Sequence, residues 1–233
     1  MKKYSAFLTT FLIILVIIMV ILLGYYVYIL YDNYNSNKIA DNLIENFSNE
    51  VVTTENIVDN NEENIEIEEE TPQTVTNQST NNPPSSSGLG YSIGTNYNGY
   101  MVIGIISIPS LNVKYPIFNV DNSTTLKLGT AAIYPLNVEE ALNKHGNVVI
   151  AGHNYRNNSM FSKLYTLPND SLIYITNKYG ETLEYKVYNN YTADVLDFSY
   201  ATREVEEEYA EISLSTCTRD ANTRTIIWAR AHL

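Results

Sequence analysis

The chain has 233 residues with 14 Lys and Arg against 26 Asp and Glu, a net charge of −12, and a single cysteine. An acidic chain without clustered Lys and Arg excludes the electrostatic footprint that nucleic acid demands, so no nucleic-acid partner is expected. One cysteine excludes an intramolecular disulfide framework and leaves that thiol as a buried apolar residue, an intermolecular crosslinker or a nucleophile.

From Ala6 to Tyr31 no residue is charged, and Leu, Ile, Val, Phe and Tyr dominate. As a helix this stretch is long enough to cross roughly 30 Å of hydrocarbon. A cleaved signal peptide has a shorter apolar core and a small-residue cleavage site, which Tyr25-Tyr26-Val27-Tyr28 does not offer. Residues 1–31 therefore read as a cytoplasmic tip and a single membrane anchor. Lys2 and Lys3 precede the span, Asp32 follows it and tyrosines gather at its carboxyl end, which places the amino terminus inside and the remainder outside.

Residues 32–98 are rich in Asn, Glu, Thr and Ser, and end near Pro83-Pro84-Ser85-Ser86-Ser87-Gly88. Their acidic residues, Asp32 to Glu70, face Lys38 alone, so nearly all of the net charge lies here. Such a composition buries too little apolar surface to offset its ordering entropy, and the segment is expected to be a disordered tether. Within it only Tyr34 to Phe47 has any helical tendency.

Residues 99–233 are enough for one domain with its own core. Short β-rich runs recur at Met101–Ser107, Val113–Phe118, Gly146–Ala151, Leu172–Thr176, Thr182–Asn189, Tyr191–Leu196, Glu211–Cys217 and Arg224–Ala229, divided by turn signals such as Pro109-Ser110, Asn169-Asp170 and Tyr179-Gly180. Helical pieces are few: Asn137–Lys144, with Glu139 and Glu140 in its first turn, and Ser159–Tyr165, with Met160, Phe161 and Leu164 on one face. Many short strands with little helix predict an all-β barrel or sandwich.

Cys217 closes the run Ile212-Ser213-Leu214-Ser215-Thr216-Cys217, and His153 follows the run that ends Ile150-Ala151-Gly152. Both would project from strand ends onto one rim. Arg224 opens the last strand, and a hairpin through Thr218–Thr223 would return it to the level of the cysteine. A cysteine nucleophile needs a proton donor for its leaving group and a stabiliser for the oxyanion, which His153 and Arg224 can supply. Arg219 would lie inside the turn and Arg230 far along the strand, so neither meets the same geometry.

Leu214-Ser215-Thr216-Cys217, with Arg224 seven residues on and Gly152-His153-Asn154 upstream, resembles the sortases, the cysteine transpeptidases of Gram-positive cell surfaces. The resemblance covers roughly Met101 to Ala229. It implies an eight-stranded sortase-like β-barrel with short helices, and roles for Cys217 as nucleophile, His153 as acid/base and Arg224 as the oxyanion or substrate-orienting residue. It further implies cleavage of a carboxyl-terminal sorting signal at a Thr-Gly-type bond and transfer of the surface protein to an amine of a peptidoglycan precursor or cross-bridge. No cofactor is required for that chemistry. Gly152-His153-Asn154 followed by Ser159-Met160-Phe161-Ser162-Lys163-Leu164 is closest to the class B form. However, Tyr191–Glu211 is short for the helix that class usually carries there, so the class stays open. Glu204, Glu206, Glu207 and Glu208 lie before the cysteine strand, where some class A sortases bind calcium, and carboxylates suit that ion.

Three alternatives stand beside this reading, of which a papain-like cell-wall peptidase places its cysteine before its histidine, the reverse of the order of His153 and Cys217 here. An L,D-transpeptidase places Gly directly before its cysteine, where this chain has Ser215-Thr216-Cys217. A non-catalytic membrane-tethered β-barrel adhesin would explain anchor and tether but not the grouping of cysteine, histidine and arginine.

Overall fold

The computed structural model describes residues 2–61 and 95–233. Runs rich in β-branched, aromatic and other apolar residues form the strands: β1 (Asn96–Tyr97), β2 (Tyr100–Ile108), β3 (Val113–Phe118), β4 (Thr130–Tyr134), β5 (Gly146–Ala151), β6 (Leu172–Asn177), β7 (Thr182–Asp194), β8 (Tyr209–Cys217) and β9 (Thr223–His232). They pair in the order β1-β2-β3-β4-β5-β8-β9-β7-β6, and β2 also pairs with β6. That last pairing closes β2 to β9 into an eight-stranded barrel, as expected, with the two-residue β1 as a hairpin extension of β2. The hairpin turns at Asn98-Gly99, both at positive φ, the backbone that a tight primed turn requires.

Closure depends on β2 changing partners. Its register against β3 shifts between Val102 and Gly104, and from Gly104 onward it also pairs with β6. A Cβ on Gly104 would lie 2.6 Å from the Thr176 carbonyl oxygen, so only glycine permits this approach. Inside the barrel Ile103, Ile106, Ile117, Val148, Ile150, Ile173, Ile175, Ile212, Leu214 and Ile227 form one buried core.

The expected strand count of eight is right, although two of its members differ. Thr182–Asn189 and Tyr191–Leu196 are one strand, β7, bent by a register shift against β9 between Val187 and Asn189. Strand β4 was not among the expected runs, because Thr130-Ala131-Ala132-Ile133-Tyr134 lacks alternation. It forms by pairing β3 in parallel and β5 antiparallel. The expected helices are shorter than their patterns. Only α3 (Val138–Ala141) and a 3₁₀ turn at Leu164–Thr166 form, with α2 (Thr125–Leu128) additional.

One long helix, α1 (Lys2–Asn61), precedes the barrel. Its amino-terminal part is apolar enough and long enough to cross a bilayer. The disordered tether expected over 32–98 is corrected over 32–61, where the chain is helical. Residues 62–94 lie outside the described residues. Ser36, Ala40, Leu43, Ile44 and Phe47 recur at three- and four-residue spacing and are buried. Leu43, Ile44 and Phe47 pack on Val102, Ile105, Phe118, Leu128 and Ala131, and Asp32 bridges to Lys127 at 2.6 Å. Tertiary burial of this stripe outweighs the poor helix propensity of the Asn-rich sequence. The barrel unit also starts before residue 99, since the Thr95 carbonyl accepts from the Val102 amide at 2.9 Å.

Candidate active site

Parallel strands β5 and β8 run in register from Gly146↔Ala210 to Ala151↔Ser215. The register persists past the end of β5: the Gly152 amide donates to the Ser215 carbonyl at 3.1 Å, and the Thr216 hydroxyl donates to the Gly152 carbonyl at 2.8 Å. The Asn154 side-chain amide then donates to the Cys217 carbonyl at 3.0 Å. His153 is thus held between two residues tied to the end of the cysteine strand. Glycine is needed at 152 because a Cβ there would meet the Phe161 ring at 2.6 Å. With 148 and 150 facing the core and 149 facing outward, alternation carries His153 to the outer face, as it does Cys217 beyond Leu214.

Strands β8 and β9 form a hairpin whose last pair is Cys217↔Arg224. The turn between them is closed by Thr218 N–H donating to the Thr223 carbonyl at 2.9 Å. Asp220 Oδ1 accepts from the Thr218 hydroxyl at 2.6 Å and from the Asn222 amide at 3.2 Å. Arg224 Nη1 lies 3.9 Å from Cys217 Sγ. Its Nε is buried without a hydrogen-bond partner, and among the described residues Arg224 pairs with no carboxylate. The guanidinium therefore keeps donors free beside the sulfur. Arg219 sits in the exposed turn, and its carbonyl accepts from Arg156. Arg230 stacks on Tyr188 and Tyr209, 5.2 and 4.5 Å from their ring centroids. The structure brings Cys217, Arg224 and His153 to one rim and keeps the other two arginines away.

His153 is exposed, and its ring lies tilted at 47° against that of Tyr155, with ring centroids 5.0 Å apart. Partial desolvation disfavours the imidazolium and lowers its pKa below the ordinary 6.5. Desolvation also raises the Tyr155 phenol.

Beside the cysteine the outer face of β5, β8, β9 and β7 is covered by residues 195–208. Tyr200 and Ala201 bury against Val149, Ala193 and Ile226. Arg203 holds this segment down. Its guanidinium donates to Glu211, Tyr188 Oη, Ser213 Oγ and the Tyr200 carbonyl, and lies 4.6 Å over the Trp228 ring. Nothing in the sequence marks Arg203, since its partners come from β7, β8 and β9. Leu196 and Phe198 on the same segment remain exposed. The segment contains no helix. Glu204, Glu206, Glu207 and Glu208 all point to solvent, and among the described residues no three acidic, His or Cys side chains converge as a metal site.

A family model described as a sortase domain matches residues 106–232. Sortase A of Listeria monocytogenes is 29% identical over 129 residues, covering 55% of this chain and 54% of that protein, so the chain spans about half the length of the curated relative it matches. Among solved structures, sortase A from Corynebacterium diphtheriae is 28% identical with a TM-score of 0.49, covering 57% of this chain and 61% of that one. Sortase C-1 from Actinomyces oris shares the fold at a TM-score of 0.51 and 24% identity, covering 57% of this chain and 74% of that one.

Proposed function

Because the chain belongs to the sortase family, we propose that it is a membrane-anchored cysteine transpeptidase acting on surface proteins that carry a carboxyl-terminal sorting signal. The observation that carries this reading is the in-register Cys217–Arg224 pair with His153 fixed at the end of the adjoining parallel strand. In the first half-reaction the Cys217 thiol gives its proton to His153, and sulfur attacks the carbonyl of a Thr-Gly-type bond. Arg224 donates to the oxyanion that forms, and the imidazolium protonates the departing amine as the C–N bond breaks. A thioacyl enzyme remains. In the second half-reaction an amine of a peptidoglycan precursor or cross-bridge attacks the thioacyl carbonyl, His153 removes its proton, and the C–S bond breaks to return the thiolate. These steps need no cofactor.

With Lys2 and Lys3 inside and Asp32 outside, the barrel works on the extracellular side of the cell membrane. The test is to incubate the full chain in detergent with a library of quenched sorting peptides, with and without an added amine. Cleavage at one Thr-Gly-type bond, with the amine joined to the new carboxyl end, is expected. Absence of cleavage across the library, or cleavage that survives Cys217→Ala, would overturn the reading.

A further inference from the structure

The barrel's active-site end opens into a cavity of ≈520 Å³ between the loop after His153 and the turn after Cys217. Asn154 and Thr218, the residues directly following the proposed acid/base and nucleophile, both line it. So do the cationic side chains Arg156, Lys163 and Arg219, while no carboxylate does. Among the described residues none of the three cations forms an ion pair. Asp220, in the turn beside Arg219, accepts from Thr218 and Asn222, and these bonds together with the Arg156 charge hold its carboxyl below the ordinary carboxylate range. Ser162 also lines the cavity. It is only 8% exposed, and its hydroxyl has no hydrogen-bond partner. A buried hydroxyl without a partner costs free energy unless something else supplies one. In a chain of net charge −12, a cavity lined by three cations without an ion pair, of which Arg156 also donates to the Arg219 carbonyl, and by an unanswered buried donor is suited to an oxyanion.

We infer that this cavity receives a carboxylate carried by the amine acceptor, so that the chain selects acceptors bearing an amine and a carboxylate on one molecule. This rests on the transpeptidase reading above. The acyl half of the substrate is assigned to the outer face at Cys217, beside the segment that carries the exposed Leu196 and Phe198. The cavity lies instead at the barrel end, bordered by Asn154 and Thr218, so an acceptor held there enters from a side that the acyl chain does not occupy. With the carboxylate held by Arg156, Lys163 and Ser162, the amine nitrogen attacks the thioacyl carbonyl. The C–N bond forms, the C–S bond breaks to the Cys217 thiolate, and the nitrogen's proton passes to His153.

The experiment compares two acceptors, Nα-acetyl-lysine and Nα-acetyl-lysine amide, which offer the same ε-amine with and without a carboxylate. The full chain in detergent is given a cleavable sorting peptide and each acceptor in turn. The carboxylate form is expected to show an apparent KM lower by about tenfold, the effect of one charge-assisted contact. In Arg156→Gln/Lys163→Gln, both exposed positions, the two acceptors should become equivalent, and inorganic phosphate should compete with the carboxylate acceptor in the unsubstituted chain. Equal KM values in the unsubstituted chain, or a preference that survives the double substitution, would overturn the inference. So would blockade by phosphate without any carboxylate preference, because the cavity would then serve a phosphate ester. Failure to cleave the sorting peptide at all would sink the transpeptidase reading itself, a different outcome from cleavage without acceptor preference.

Discussion

Arg224 does at the scale of one residue what neither of its neighbours in sequence can. It faces Cys217 across the last pair of a hairpin and keeps Nε unengaged. Lysine at 224 would keep the charge but lose the planar fork, so Arg224→Lys is expected to lower kcat by about 10²–10³, the cost of removing one oxyanion donor. Arg219→Ala and Arg230→Ala should leave kcat within a few-fold. Steady-state rates on a cleavable peptide check this, and a larger loss at Arg219 would mean that the hairpin does not place Arg224 on the sulfur. His153 makes a second expectation through its depressed pKa. Its unfolded pKa lies above its folded one, so the unfolded chain binds the extra proton first as pH falls. The stability tied to neutral His153 is full above the unfolded value and is lost as pH drops through it toward the folded value. Thermal unfolding should therefore fall more between about pH 7.5 and pH 5.5 in the unsubstituted chain than in His153→Gln. An equal fall in both would show that His153 is not desolvated.

At the scale of elements, the strands that carry the site were legible as short β-rich runs buried on both faces and bounded by turn residues. Gly146–Ala151 matches β5, and Glu211–Cys217 falls within β8. Legibility stopped where pairing partners rather than local pattern decide the structure. Strand β4 has no alternation, and β7 hides a bulge that looks like a break between two strands. The wall formed by residues 195–208 was invisible because Arg203 finds its partners only in the folded barrel. That arginine is nearly buried and Glu211 more so, with side-chain exposures of 14% and 8%. Arg203→Ala would strand a buried carboxylate, and a cost of about 3–5 kcal/mol is expected. Arg203→Met/Glu211→Leu, which removes both charges at similar volume, should cost far less. Urea unfolding of the two variants decides it, and equal destabilisation would mean that packing rather than charge holds the segment.

Across the whole molecule, the amino-terminal helix and the barrel are joined by packing and not only by chain connectivity. Phe47 is fully buried against the barrel, and only about 24 Å of helix separates it from Tyr31 at the end of the apolar span. Composition could not reveal this, because five buried residues in an Asn-rich acidic stretch scarcely move its average. Phe47→Ala is expected to cost about 3 kcal/mol and to release the helix. Backbone amides of residues 36–47 should then exchange hydrogen faster in Phe47→Ala than in the unsubstituted chain. Unchanged protection would show that the helix is not held by this contact. Lys127 of the barrel is accordingly held at Asp32, the residue that follows the apolar run.

The thioacyl bond on Cys217 is the feature on which the whole account depends. Intact-mass and peptide mass spectrometry of the full chain, quenched in acid during turnover of a cleaved sorting peptide, measures it directly. The expected result is an added mass equal to the acyl portion of the peptide, located on Cys217, labile to hydroxylamine and absent in Cys217→Ala. Peptide turnover with Cys217 unmodified throughout, or an adduct on any other residue, would contradict the account.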